Sequence, residues 1–322
     1  MRVCLKIDVD TRQGYLGGVP RMAAALDRLG VRATFCVAVG PDRSGRAIRR
    51  LFTRRGFLAK MLRTRAPSTY TWRTLLYGTL LPAPLIATGT PRIVKDLRAA
   101  GHEVIPHGWD HVSWHDFLRR WDAERTRREL DLACDTLERH LGEPCRAFAS
   151  PGWQATEASL LAEEERRLTY AADVRGWAPF FPLVGRRATG VLQLPTTLPT
   201  LDEMVGRPDL RGVDPLEYLF AAMREPARPA RQVKAAPDAA PSDAAPPDST
   251  HVFTAHAEIE GGPWASLFEQ LVSRLLAEGA TILTLGELAE AVRREGTALT
   301  GSVVDVELPG RAGTVACQAG FV

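Results

Sequence analysis

The fold is decided by residues 3–39, which have the sequence VCLKIDVDTRQGYLGGVPRMAAALDRLGVRATFCVAV. Val3–Val9 alternates and is rich in branched residues, which predicts a β-strand. Val19–Leu29 has apolar residues at helical spacing, with a proline near its start and Gly30 after its end, which predicts an α-helix. Ala33–Val39 is a continuous apolar run, typical of a strand buried on both faces. A strand, a helix and a second strand in succession predict a βα repeat and therefore a parallel sheet.

The same alternation continues through most of the chain. Further helices are predicted at residues 91–100, 121–141, 157–168, 215–224, 264–278 and 285–294. Further strands are predicted at residues 102–106, 145–149, 169–174, 191–194, 251–256 and 281–284. We therefore predict an α/β fold, a distorted (β/α) barrel of about seven parallel strands.

The barrel is expected to form one catalytic domain that spans residues 1–297 and contains two insertions. Residues 41–90 interrupt the βα rhythm and carry an excess of basic side chains. Residues 226–250 consist mostly of Pro, Ala and Asp, which predicts a disordered insertion because such a segment has little to bury. Residues 298–322 are expected to be an irregular C-terminal tail.

Composition excludes several classes of protein. The chain is 45% hydrophobic and 25% charged, as a globular protein is, which excludes wholesale disorder. Its five cysteines contain no CxxC pair, which argues against a zinc ribbon or a disulfide scaffold and favours a reducing compartment. The N-terminal apolar run is too short for an export signal, so a cytoplasmic location is expected. The uncharged stretch 74–91 is broken by Pro and Gly, so it is not expected to span a membrane.

Ionisable side chains stand at four of the predicted strand ends. They are Asp8 and Asp10, His107, Asp173 and His256. Because a barrel presents its functional side chains at the carboxyl ends of its strands, we expect these residues to converge on one site.

Two of these strand ends together predict a metal site. Asp8 and Asp10 share one face of an extended chain, and a cation would relieve the repulsion, with one carboxylate as ligand and the other left as a base. His107 and His111 lie one helical turn apart, so both imidazoles can reach one ion. Taken alone, the aspartate pair is also typical of a solvated loop, and the spacing of the two histidines can arise by chance. Asp10, His107 and His111 together form a two-histidine, one-carboxylate site for a divalent metal ion, with zinc favoured and cobalt, manganese, nickel or iron also suitable.

His256 is the candidate general acid, since an imidazole titrates near neutral pH. The alternative is a core histidine bonded to a carbonyl group. A Ser-His-Asp hydrolase is not indicated, because the chain has no GxSxG elbow. Walker and Rossmann glycine patterns are absent from the sequence as well.

The order of the motifs resembles the polysaccharide deacetylase family of metal-dependent carbohydrate amidases. The motifs are DVDT at 8–11, HGWDH at 107–111, PGW at 151–153, DVRG at 173–176 and FTAH at 253–256. The resemblance covers residues 1–290 apart from the insertions, and it implies a distorted (β/α) barrel. It also implies a hydrolase of linear amide C–N bonds.

Stretches outside the catalytic motifs make the resemblance more specific. They are GVPR at 18–21, RGFLAKMLR at 55–63, QLPTTLPTLDE at 193–203 and HAEIEGG at 256–262. They are similar to the branch of the family that removes the formyl group from 4-deoxy-4-formamido-L-arabinose linked to undecaprenyl phosphate. The product would be the 4-amino sugar used for lipid A modification. The alternatives are a deacetylase of another N-acylated glycan and a non-catalytic binder of lipid-linked glycans.

The resemblance implies a role for each motif residue: catalytic base (Asp8), metal ligands (Asp10, His107 and His111), general acid (His256) and orienting partner of the acid (Asp173). Gly152 and Trp153 are expected to line the oxyanion or substrate site. Glu258 is a candidate to meet the new ammonium group, with a solvated loop as the alternative.

The chain departs from the family pattern at one position. In the family, an arginine precedes the proline of the third motif and holds the catalytic base, whereas residues 149–151 here are Ala-Ser-Pro. Arg175 lies two residues after Asp173 and so on the same strand face. We therefore hypothesise that Arg175 supplies the missing charge.

The basic insertion predicts contact with a membrane surface. Residues 43–65 mix nine basic side chains with Phe, Leu, Ile and Met, and residues 72–85 add apolar and aromatic side chains. This composition is typical of a helix lying on an anionic membrane surface, where basic side chains would also suit a polyprenyl phosphate. A solvated basic helix and an RNA-binding patch are the alternatives, although no nucleic-acid-binding motif occurs. We expect peripheral association with the inner face of the cytoplasmic membrane.

Overall fold

A computed structural model describes residues 1–49, 70–225 and 249–321 of the protein. Most of the basic stretch 43–65 and almost all of the insertion 226–250 lie outside the described residues. The predictions of a surface helix and of disorder for these two stretches therefore stay predictions.

The described residues form strands and helices that alternate along most of the chain. The strands are β1 (Arg2–Val9), β2 (Thr34–Val37), β3 (Glu103–Pro106), β4 (Ala147–Phe148), β5 (Tyr170–Ala171), β6 (Phe180–Val184), β7 (Arg187–Ala188), β8 (Leu192–Gln193), β9 (Thr250–His256), β10 (Thr281–Leu283), β11 (Leu299–Gly301), β12 (Val303–Glu307) and β13 (Thr314–Gln318). The helices are α1 (Val19–Leu29), α2 (Arg92–Ala99), α3 (His111–Phe117), α4 (Ala123–Leu141), α5 (Glu157–Glu165), α6 (Leu201–Met204), α7 (Pro215–Arg224), α8 (Ala265–Ala277) and α9 (Leu285–Glu295). A short π-helix, Gly14–Gly18, leads into α1.

Parallel strands form the barrel in the order β9, β1, β2, β3, β4, β5, β8. Strands β9, β1, β2 and β3 pair in one sheet, and β4, β5 and β8 pair in a second. A hydrogen bond from Ala149 N to Pro106 O (3.0 Å) joins the sheets at one edge, and one from Thr197 N to Val252 O (3.1 Å) joins them at the other. Solved structures of the same fold, described below, confirm the expected distorted (β/α) barrel.

The register of the strands brings the predicted site residues to one edge. Asp8 of β1 lies opposite Cys36 of β2 and His256 of β9. Val37 of β2 lies opposite Pro106 of β3, and His107 follows directly. The carboxyl ends of these strands therefore lie together, as the barrel prediction requires.

The outer layer of the barrel is an apolar core between strands and helices. Strands β1, β2 and β9 pack there against α1 and α8, with fully buried side chains that include Leu5, Ile7, Phe35, Phe253, Met22, Leu26, Phe268 and Leu271. Helix α1 has Pro20 in its first turn and ends at Gly30, whose φ of 67° suits a residue without a Cβ. The proline near the start and the glycine after the end are two of the sequence signals that predict this helix.

The C-terminal segment is ordered, so the prediction of an irregular tail is wrong. Strands β12 and β13 form an antiparallel hairpin, with Val303 opposite Gln318 and Glu307 opposite Thr314. Its turn contains Gly310 and Gly313, both at positive φ. The two strands are only five residues long and carry few apolar residues each, so their hydrophobic periodicity is too short to predict strands from the sequence.

Residues 70–90 consist of turns, bends and isolated bridges and contain one short 3₁₀ turn, Thr74–Leu76. Within the described ranges, no helix has the length and apolar character needed to cross a membrane.

Two neighbouring glycines of the π-helix test the packing between the start of α1 and the end of β9. A Cβ on Gly18 would lie 1.9 Å from the carbonyl oxygen of Ala257, whereas a Cβ on Gly17 would meet no atom within 4 Å. We expect Gly18→Ala to lower the free energy of unfolding by about 1–3 kcal/mol, because backbone must move to admit the methyl group. Gly17→Ala is the matched control and should be neutral or slightly stabilising. Urea denaturation measures both, and equal effects would contradict the packing.

Candidate active site

Three of the predicted metal ligands meet at the carboxyl edge of the barrel. The ligand atoms of Asp10, His107 and His111 all lie within 4.8 Å of one another. Asp10 Oδ1 is 3.4 Å from Nε2 of His107 and 3.4 Å from Nε2 of His111. The structure therefore brings together the trio that the sequence singled out.

The surrounding backbone orients both histidines. His107 follows β3, and its Nδ1 donates to Ala149 O (2.8 Å), which turns Nε2 toward Asp10. His111 is the first residue of α3, and Asp110 caps this helix by accepting a hydrogen bond from Ser113 N (3.0 Å). Such bonds at the far nitrogen or at the helix start are what hold a metal-binding imidazole in place.

The donor set fits a divalent metal ion. Asp10 Oδ1 is buried and receives no hydrogen bond from any residue in the described ranges. Burial by itself raises the pKa of Asp10, but His111 and His107 lower it well below its ordinary value. The carboxylate is therefore ionised at neutral pH. Together with the two imidazole nitrogens, this carboxylate forms a set of three ligand atoms that suits an ion such as zinc.

Asp8 forms a buried ion pair with Lys6, a residue that sequence reasoning missed. Lys6 Nζ lies 2.6 Å from Asp8 Oδ2 and also contacts Oδ1. Both side chains are almost fully buried, with 1% and 3% of their surface exposed. Burial raises the pKa of Asp8, but the charges of Lys6 and His107 outweigh it and the pKa is lowered. A sequence signal existed, since a lysine two residues before Asp8 in a buried strand must share its face.

Arg175 does not lie beside Asp8, so the hypothesis that it supplies the charge for the base is corrected. Its Nη1 lies 2.7 Å from Glu203 Oε1, and its Nη2 donates to Leu198 O at 2.8 Å. Glu203 is buried, and its carboxylate is the counter-charge of the Arg175 guanidinium. The space beside Asp8 is already filled by Lys6, which reaches it along the same strand.

His256 lies at the end of β9, next to Asp8 in the register. Its backbone N–H donates to Glu260 Oε2 (2.7 Å), while its Nδ1 is buried and has no hydrogen-bond partner within residues 1–49, 70–225 and 249–321. Burial lowers the pKa of His256, but carboxylates around it, Asp202 and Asp10 first, outweigh this and raise the pKa. The imidazole therefore carries a proton more readily than an ordinary histidine does.

Asp173, the expected partner of His256, is occupied elsewhere. Its Oδ1 accepts from Ser150 N (2.7 Å) and its Oδ2 from Gln193 Nε2 (2.7 Å). No hydrogen bond joins it to His256 in the part of the chain that is described. Asp173 thus holds the loop that follows β4, and Asp202 is the carboxylate whose charge acts most on His256.

The loop after β4 carries Gly152 and Trp153, both at positive φ. A Cβ on Gly152 would lie 1.8 Å from His115 Cδ2, so only glycine lets the loop approach this close. Trp153 is 2% exposed, and its indole N–H donates to Thr196 Oγ1 (3.0 Å). Trp153 is therefore buried against His256 and presents almost no surface to a substrate, which corrects the expectation that it lines the substrate site.

Glu258 also has a different place from the one expected. Its Oε1 accepts hydrogen bonds from Asp10 N (3.0 Å), Thr11 N (2.7 Å) and Thr11 Oγ1 (2.8 Å). Burial is the main cause that raises the pKa of Glu258 to about 8. This carboxyl group anchors the loop that carries Asp10, and it is too enclosed to be a solvated loop residue.

Comparison with known proteins agrees with the motif order. Residues 10–171 match the domain family described as polysaccharide deacetylase. A protein of Shewanella sediminis named probable 4-deoxy-4-formamido-L-arabinose-phosphoundecaprenol deformylase is 33% identical over 321 residues, which cover 100% of this chain and 96% of that protein. A protein of the same name from Wigglesworthia glossinidia brevipalpis is 28% identical over 84% of this chain and 87% of its own length.

Solved structures share the fold at lower identity. One from Pseudomonas aeruginosa PAO1, described as a probable polysaccharide deacetylase, superposes with a TM-score of 0.57 at 13% identity. The match covers 91% of this chain and 92% of the other. At this identity the likeness concerns the barrel alone.

Removal of Lys6 tests the buried ion pair. Lys6→Met leaves the Asp8 carboxylate buried without a counter-charge, so the free energy of unfolding should fall by about 3–5 kcal/mol at neutral pH. Adding Asp8→Asn should restore part of it, because a neutral amide needs no counter-charge. The control is Lys95→Met on the exposed face of α2, which should change stability by less than about 0.5 kcal/mol.

The same pair sets a pH dependence. The folded pKa of Asp8 lies below the ordinary carboxyl value, so its pairing stabilises the fold above that value. This stabilisation is lost as the pH falls through the lowered folded pKa. Denaturation at a series of pH values should therefore show wild type and Lys6→Met converging in acid, below about pH 4. A constant difference would contradict the assignment.

Proposed function

The chain belongs to the polysaccharide deacetylase family and is a hydrolase of amide bonds, and on that premise we propose a specific reaction. The protein is proposed to remove the formyl group from 4-deoxy-4-formamido-L-arabinose carried on undecaprenyl phosphate, with the 4-amino sugar going to lipid A modification. One observation carries the proposal: a metal-ligand trio lies beside a buried ionised carboxylate and a histidine with a raised pKa. The names of the full-length relatives support the choice of substrate.

Asp10, His107 and His111 are the residues that would hold the ion. A bound divalent ion polarises an amide carbonyl group and lowers the pKa of water beside it. Zinc suits two imidazoles and a carboxylate, and cobalt, manganese, nickel or iron satisfy the same donors. Metal dependence is therefore part of the proposal.

Asp8 and His256 divide the proton transfers between them. Asp8, kept ionised by Lys6, accepts a proton as water adds to the formyl carbon. His256, whose raised pKa favours the protonated imidazole, donates a proton to the sugar nitrogen as the C–N bond breaks. The products are formate and a free amine. A backbone N–H near Gly152 is proposed to hold the oxyanion that forms between the two transfers.

A set of exposed apolar side chains, named here the apolar surface, supports contact with a membrane. The apolar surface consists of Leu16, Trp72, Leu75, Leu80 and Leu85, with Trp72 63% and Leu80 80% exposed. Four of these five residues come from one short stretch of chain, residues 72–85, and grouped exposed apolar side chains usually mark an interaction site.

This apolar surface is tied to the loop that follows Asp10. Thr71 N donates to Gln13 Oε1 (2.7 Å), and Thr74 Oγ1 donates to the same oxygen (3.1 Å). The basic stretch 43–65 directly precedes the segment in the chain. We propose that this side rests on the inner face of the cytoplasmic membrane, where apolar side chains enter the lipid and basic ones meet anionic headgroups.

The reaction is tested by formate release from a formylated, polyprenyl-phosphate-linked pentose. We expect formate from the wild type, no formate after chelation, and recovery on adding Zn²⁺. The acetylated analogue should react at least about tenfold more slowly, since one extra methyl group in a fitted pocket costs about 1–3 kcal/mol. Preference for the acetyl substrate would make the protein a deacetylase of another glycan. No turnover of either substrate would make it a binder.

Two histidine variants separate the ligand from the acid. His111→Ala should lose both the bound metal and activity, because it removes one of three protein ligands. His256→Ala should keep the metal and lose activity by about 10²–10⁴-fold, the usual contribution of a general acid. Metal analysis of the purified variants checks the distinction, and metal loss in His256→Ala would overturn the role given to His256.

Membrane contact is tested by flotation with anionic and zwitterionic vesicles. The double variant Trp72→Asp, Leu80→Asp should bind anionic vesicles at least about tenfold more weakly, since each apolar side chain contributes about 1.5–3 kcal/mol when buried. Val304→Asp, an exposed apolar position on the C-terminal hairpin, is the control and should bind as wild type does. Equal binding of all three proteins would contradict the proposal.

A further inference from the structure

We infer that Arg311 of the C-terminal hairpin is a positioning residue for His256, and that it acts through Trp153 and Glu203. The inference rests on the proposed function, in which His256 donates a proton. It concerns a segment, β12–β13, that lies outside the motifs of the active site.

The hairpin is attached directly to the barrel edge that carries the site. Arg175 N donates to Ala316 O (2.9 Å), and Gln318 N donates to Arg175 O (2.7 Å). Gln318 Oε1 accepts further bonds from Trp177 N (3.1 Å) and Ala178 N (3.2 Å). Strand β13 therefore continues the sheet beside the segment that follows β5.

Arg311 lies in the turn of this hairpin and faces inward. Its guanidinium carbon is 4.4 Å from the ring centroid of Trp153, and its Nη1 is 3.3 Å from Glu203 Oε1. Arg175 contacts the same two residues, at 5.1 Å from the ring centroid and 2.7 Å from Glu203. Two arginines from distant parts of the chain thus enclose one buried carboxylate and one indole.

Glycine makes this approach possible. A Cβ on Gly310 would lie 2.1 Å from the carbonyl oxygen of Glu203. The hairpin turn therefore lies directly against α6, and Arg311 follows at the next position. Helix α6 also carries Asp202, the carboxylate whose charge acts most on His256.

Trp153 transmits the contact to His256. The two rings lie edge to face, with centroids 6.3 Å apart and planes at 82°. Trp153 has a φ of 53°, an unfavourable conformation that a bulky residue keeps only when its surroundings hold it. Val315 and Cys317 of the hairpin pack against it together with Leu308.

The imidazole of His256 depends on this packing for its orientation. Its Nδ1 has no hydrogen bond to fix the ring within the described ranges, and we therefore take the edge-to-face contact with Trp153 as a restraint on ring rotation. Loss of Arg311 removes a cation from one face of the indole and a partner from Glu203. Both changes loosen the wall on which His256 lies, while the metal ligands keep their own supports.

Kinetics of Arg311 variants test the inference. We expect Arg311→Ala to lower kcat about 10–100-fold with an unchanged KM and metal content, because small misplacement of a proton donor slows the chemical step. Arg311→Lys, which keeps the charge, should recover part of the loss. Asp305→Asn is the matched control in the same hairpin. It breaks an exposed ion pair with Arg119 and should leave kcat within twofold of wild type.

A double-variant cycle separates positioning from general loosening. In a His256→Ala background, Arg311→Ala should cause no further loss of kcat, because the group that it positions is gone. An equal loss in both backgrounds, or an Arg311→Ala enzyme within twofold of wild type, would overturn the inference. So would a loss in Asp305→Asn as large as that in Arg311→Ala.

A spectroscopic readout does not depend on the substrate. The Cε1–H signal of His256 in the metal-free protein, assigned by its absence in His256→Gln, should shift in Arg311→Ala and stay in place in Asp305→Asn. An unmoved signal in Arg311→Ala would overturn the inference. If the signal moves but wild type releases no formate, the contact stands and the proposed function fails.

Discussion

The parallel register of β1 with its neighbours is the constraint on which the site depends. Residues Val3, Leu5, Ile7 and Val9 point to the outer apolar core, and the residues between them point inward. A slip of one residue would turn every side chain of β1 to the opposite face. The apolar residues therefore do more than hold the sheet, because by filling the outer layer they force Lys6 and Asp8 into the barrel.

Two groups of buried charges in this barrel are compensated by partners of opposite charge. Lys6 faces Asp8, and Glu203 is enclosed by Arg175 and Arg311. Removing one member of such a group leaves a charge with neither water nor counter-ion, which costs several kcal/mol. The Glu203 cluster also ties a strand end, a short helix and the C-terminal hairpin together. Electrostatic pairing thus adds to the apolar cluster of Val174, Phe180 and Ala316 in holding these segments together.

The proposed active site differs from the family pattern in the origin of one charge. The metal-ligand trio stands where the motifs predicted it. The cation beside Asp8, the proposed base, comes from Lys6 of the same strand, and no arginine precedes the proline of the third motif. What the base requires is a positive charge within contact distance, and different positions in the chain can supply it.

The sequence by itself determined the barrel and the metal trio, because βα periodicity and the spacing of DVDT and HGWDH are local signals of strand ends. Tertiary structure alone decided the partners of Arg175 and Asp173 and the form of the C-terminal segment. Arg175 pairs with Glu203, and Asp173 accepts a hydrogen bond from the loop after β4. The C-terminal segment forms a hairpin that packs against Trp153. A charged side chain pairs with whatever the fold places within a few ångströms, and distance along the chain carries little information about that.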